Sequence, residues 1–164
     1  MKKVLLFLAL SMATMTTITS CSKDRDEVSV KKDDFTNADY IKRIMVGKWV
    51  GVASSQDGTS WHNYTDLPGT TPYTTYYKFE NNNKYLFKPY TAKNDTSFNE
   101  EGNYAITPAT SENNAILKLT HTYQGDAHSN ELILLDYKDG VVTFLETSIL
   151  SPTGKFYYKY RKEN

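Results

Sequence analysis

A single cysteine in a chain of 164 residues excludes an intramolecular disulfide. Basic residues are in no excess: 19 Lys and Arg stand against 19 Asp and Glu, so there is no basic field to draw in nucleic acid. The apolar run Val4–Leu10 falls far short of the ~20 residues that span a bilayer. Three histidines occur, His62, His121 and His128, and their scatter is not the spacing of metal ligands. No serine sits in a Gly-x-Ser-x-Gly elbow. Glu100 and Glu101 are adjacent, so on a strand they point to opposite faces and make no carboxylate pair. The expectation is a protein with no metal, no cofactor and no catalytic machinery. What the chain does hold is 13 Tyr and 7 Phe. Aromatics favour strands, and Tyr suits a wall with one wet end.

The N-terminus reads as an address. Lys2-Lys3 precede the short apolar core, Ser11–Ser20 is small and polar, and residues 1–20 form a removable signal peptide. Their loss takes two lysines and no acid, leaving a slightly acidic chain long enough for one sizeable core. The junction Ile18-Thr19-Ser20-Cys21 resembles a bacterial lipobox, which implies that Cys21 is acylated and tethers the protein to a membrane. Each buried methylene of such an anchor contributes about 0.8 kcal/mol. Residues 21–34 are charged and poor in large apolar side chains, as in a flexible tether. Thr36 as cap, Asp39 three residues on, and Phe35 with Tyr40 as a hydrophobic staple predict a helix over about residues 37–44.

From residue 46 the pattern is of strands. Alternation predicts them over 46–54, 72–80, 84–89, 101–107, 115–123, 131–138, 141–147 and 155–161. Asp139-Gly140 is the strongest hairpin signal. Polar connections are expected over 55–71, 90–100 and 124–130. Eight short strands in series suggest an all-β, antiparallel up-and-down barrel or a two-sheet sandwich over residues 35–164. The long connections fall mostly at one end, which gives a cup.

Gly47-x-Trp49 on the first strand after a short helix resembles the lipocalin signature. The resemblance implies that Trp49 fills a closed base, that Gly47 belongs to that base, and that a cation from the last strand, here Arg161, lies across the indole. Residues 35–162 as a whole are similar to the lipocalin-like lipoproteins of the Bacteroidetes. That implies a cell-envelope protein, lipid-anchored to the outer membrane, which holds a small apolar or amphipathic ligand without turning it over. Whether it faces the periplasm or the exterior stays open.

The residues expected to line such a cup are Tyr77, Tyr85, Tyr104, His121 and Tyr158, an apolar wall with hydroxyls. His121 is either a polar handle for a ligand or a hydrogen-bonded barrel histidine. Trp61 and Tyr64 stand in the long first connection, where large aromatics must fold over something or stay exposed as a contact surface. They read as a lid over an internal ligand, as a plug, or as an aromatic platform for glycan.

Overall fold

The computed structural model describes residues 35–64, 73–147 and 154–163; the expected signal peptide, Cys21 and the expected tether lie outside the described residues. Helix α1 (Ala38–Met45) opens the domain. Its cap is Asn37 rather than Thr36: the Asn37 side chain accepts from the amides of Asp39 and Tyr40, at 2.9 and 3.1 Å. Ile41 and Met45, one turn apart, are fully buried, and Tyr40 and Ile44 pack beside them.

Nine strands follow: β1 (Gly47–Ser55), β2 (His62–Asn63), β3 (Tyr73–Phe79), β4 (Lys84–Ala92), β5 (Glu100–Thr107), β6 (Ile116–Tyr123), β7 (Asp126–Lys138), β8 (Val141–Thr147) and β9 (Lys155–Glu163). They form one antiparallel sheet in which β3 to β9 pair in sequence, and β1 closes it by pairing with both β3 and β9. Because β9 occupies one edge of β1, the two-residue β2 shares the other edge with β3. The result is a closed barrel of eight staves with a short extra strand.

Two connections are shorter than the sequence reading expects. Gln124 and Gly125 both take positive φ, 54° and 93°, so β6 and β7 meet in a two-residue turn where a seven-residue loop was expected. β7 pairs with β8 only from Leu132 onward, so its first residues project with both faces wet. A ribbon with two wet faces needs no apolar alternation, and its polar residues resemble a loop. The expected 90–100 loop shrinks likewise, since β4 continues through a bulge to Ala92 and β5 begins at Glu100. Within that region Lys88 is buried, and its ammonium donates to Thr91 Oγ1 at 2.7 Å and to the carbonyl of Asp95.

The core is the lower half of the barrel, and α1 lies at that end. Trp49, with no exposed surface, meets Tyr137 edge-on. Its indole Nε1 donates to Met45 O at 2.7 Å, satisfying one carbonyl at the end of α1 that has no helical partner. Phe79, Leu117, Leu119, Leu132, Leu134, Val142, Phe144 and Tyr160 fill the rest.

Candidate binding site

Pairing register decides which side chains reach the upper lumen. Phe87 stands opposite Tyr77, and Glu100 opposite Phe87, so all three share the inner face. Tyr85, Gly102 and His121 form the next row across β4, β5 and β6. On the other wall, Glu146 follows Val142 and Phe144 at alternate positions of β8 and stands opposite Phe156 of β9. Tyr158 lies between Phe156 and Tyr160 on that face, its ring 6.1 and 6.4 Å from theirs.

Gly102 makes the first cluster possible. A Cβ there would lie 2.8 Å from the Tyr85 ring and 2.1 Å from the carbonyl of Thr120, so only glycine lets Tyr85 cross the row. The Tyr85 hydroxyl then donates to Glu100 Oε1 and lies 3.4 Å from His121 Nδ1. His121 Nδ1 is itself 3.2 Å from that same oxygen. On the neighbouring strand the His121 ring stacks on His128 at 5.5 Å, as a directly opposed pair on β6 and β7. Burial first, then the bond to Glu100, pushes the Tyr85 hydroxyl above its ordinary value and keeps it a donor.

Glu146 has neither a hydrogen bond nor an ion pair with any described residue. Its carboxyl is raised from the usual range by burial, and further by the charge of Glu100. Tyr158 is raised by burial and by Glu146. Tyr77, only 5 % exposed, is raised by burial and feels Tyr160, Glu146 and Glu100. Tyr64 enters from above: its ring sits over Gly51, 2.8 Å from where a Cβ would be, and 4.8 Å from the ring of Tyr90. Its hydroxyl shares a hydrogen bond with Ser54. A bulge at Val52 puts Ser54 opposite Tyr158 and so turns it, rather than Ala53, to that face.

Of the residues singled out from the sequence, Tyr64, Tyr77, Tyr85, His121 and Tyr158 thus gather in the upper lumen. Tyr104 does not. It is buried in the base, with its ring edge-on to Phe79 and its hydroxyl donating to Glu80 O at 2.8 Å. Trp61 does not cover the mouth either. It lies on the outer wall with Lys159 Nζ 3.9 Å from its ring centroid, in a cleft of about 520 Å³ that also holds Arg161, Asp136 and Thr143. Trp61 belongs there because it packs against outward-facing residues of β9, which the sequence of its loop does not reveal. Arg161 is therefore not the cation over Trp49. Lys162 takes that place, 5.4 Å from the ring centroid, with its stem 2.9 Å from where a Gly47 side chain would begin.

Glu100, Glu146 and Lys162 were missed as site residues although period-two alternation points to each. Glu100 precedes Gly102 and Tyr104, Glu146 follows Val142 and Phe144, and Lys162 follows Tyr158 and Tyr160.

A closed, eight-stranded antiparallel barrel with a packed base, a short helix before its first strand and an aromatic, polar upper lumen is a lipocalin-like fold. The chain matches no protein-family model, no curated protein and no solved structure. Among the described residues no group of His, Cys, Asp and Glu is placed to hold a metal ion, and no helix is long and apolar enough to cross a membrane.

Proposed function

We propose that this protein is a lipid-anchored envelope lipoprotein whose barrel binds a small amphipathic ligand in its upper lumen. The observation that carries the reading is the contrast along the lumen. Below Tyr77 the interior is packed with apolar side chains, whereas above it Glu100, His121, Glu146 and Tyr158 are only partly buried among aromatic rings. Small-ligand sites combine such a largely apolar wall with a few polar groups. Native mass spectrometry of the purified protein, or titration with an environment-sensitive apolar dye, tests it. A retained small molecule or saturable dye binding supports the reading, and the absence of both overturns it.

The anchor rests on Ile18-Thr19-Ser20-Cys21 and the lone thiol. Cys21→Ser should abolish palmitate labelling and release the protein from membranes; unchanged labelling would sink the lipoprotein reading. An alternative reading, a glycan- or protein-binding surface module, is favoured by the outer cleft, where Trp61 lies among Asp136, Thr143 and Arg161.

A further inference from the structure

The upper lumen is unusual in the sign of its charge. Two carboxylates, Glu100 and Glu146, face it from opposite walls. Among the described residues, Lys162 on the inner face is committed at the far end to Trp49 and to Ile44 O, and the buried Lys88 ammonium is committed to Thr91 Oγ1 and the carbonyl of Asp95. An apolar guest gains nothing from two acids in a half-buried wall, and an anionic guest is repelled by them.

The two carboxylates are not equivalent. Glu100 is held through one oxygen, Oε1, by Tyr85 and His121. Glu146 is only partly buried and has no such partner among the described residues, so its carboxyl is open to a guest. Tyr77 is almost completely buried, and no described residue hydrogen-bonds its hydroxyl, although it lies within range of the charges of Glu146 and Glu100. Its ring stacks on Phe87 at 4.4 Å and meets Tyr160 edge-on at 5.3 Å. Acids on both walls and electron-rich faces between them form the complement of an ammonium group.

We propose that the ligand of the upper lumen is an organic cation, a protonated amine with an apolar body, whose ammonium sits between Glu146 and Glu100 while its body lies against Tyr77, Phe87 and Tyr158. The proposal rests on the binding role above and names its ligand class. Glu146 is the principal counter-ion, Glu100 the second, and Tyr85 and His121 hold Glu100 in place. Binding relieves the repulsion between the two acids, so a charged amine is preferred to a neutral or anionic analogue of equal length.

The test is a calorimetric series on the full chain with three probes that share one tail: octylammonium, octanol and octanoate. Octylammonium should bind at least about tenfold more tightly than octanol, the range of one charge-assisted contact, and octanoate should bind most weakly. Glu146→Gln, alone and with Glu100→Gln, keeps shape and hydrogen-bonding capacity; it should erase the preference for octylammonium while leaving octanol affinity within about twofold. Equal binding of octanol and octylammonium, or preference for octanoate, overturns the amine proposal and leaves the lumen as a binding site. Failure of all three probes to bind overturns both. Persistence of the ammonium preference in the double variant also overturns it, since the cation would then be recognised elsewhere.

Discussion

Lys162 reaches across the base of the barrel to Trp49: its ammonium lies 5.4 Å from the indole centroid and donates to Ile44 O at 2.7 Å. The indole donates in turn to Met45 O. Two consecutive carbonyls at the end of α1 are thus satisfied by the first and last strands, which locks the helix to the seam where β1 and β9 close the barrel. Lys162→Met keeps the stem and should lower stability by about 1–2 kcal/mol. Arg161→Met, on the outer wall, should change it by less than about 0.5 kcal/mol. Urea midpoints for the pair decide between them, and equal effects would refute the assignment of Lys162 as the cation at the base.

Glu146 makes stability depend on pH in a defined direction. Its folded-state pKa is raised by burial and by Glu100, so the native chain holds this proton where the unfolded chain has lost it. Stability must then fall as pH rises from the unfolded-state value through the folded one. Without ligand, Glu146→Gln should be more stable than the parent at about pH 8 and gain little at about pH 4. A gain that is equal at both pH values would show that ionisation of Glu146 is not the cause.

Gly102→Ala should be among the most damaging small changes in the chain. The added methyl meets Thr120 O at 2.1 Å, and that oxygen is backbone that cannot swing away. A cost of about 1–3 kcal/mol or more is expected from overpacking. Because the methyl also drives Tyr85 off the row, Tyr85 to His121 proximity should be lost; a chemical-shift change at His121 reports it. A variant with parental stability would show that β5 and β6 tolerate a side chain there.

Tyr64 and Trp61 should behave differently in ligand exchange although only two residues lie between them. Tyr64 packs inside over Gly51, while Trp61 lies outside under Lys159. Tyr64→Ala should raise the off-rate of a bound apolar dye by about tenfold, on the scale of losing one buried aromatic contact. Trp61→Ala should leave it unchanged within about twofold. Stopped-flow displacement measures both, and the reverse order would return Trp61 to the mouth.

The eight staves, the Asp139-Gly140 hairpin and the core position of Trp49 were all legible in the sequence, because alternation and turn chemistry are local properties of a strand. Alternation also carried the facing of Glu146, and with the correct start of β5 and end of β9 that of Glu100 and Lys162. What it could not carry was meeting across the barrel. Glu100 and Glu146 lie on staves separated by β6 and β7, and Tyr85 touches His121 only because Gly102 on the stave between them has no side chain. Trp61 shows the same limit from outside: the loop's composition says that an aromatic must be covered, and only the fold of β1 and β9 says on which side. Local periodicity settles which way a residue points along its own strand. Barrel closure, the bulges and the pairing register decide what it meets, since each shifts a whole stave relative to its neighbours and no single stretch of chain contains that information.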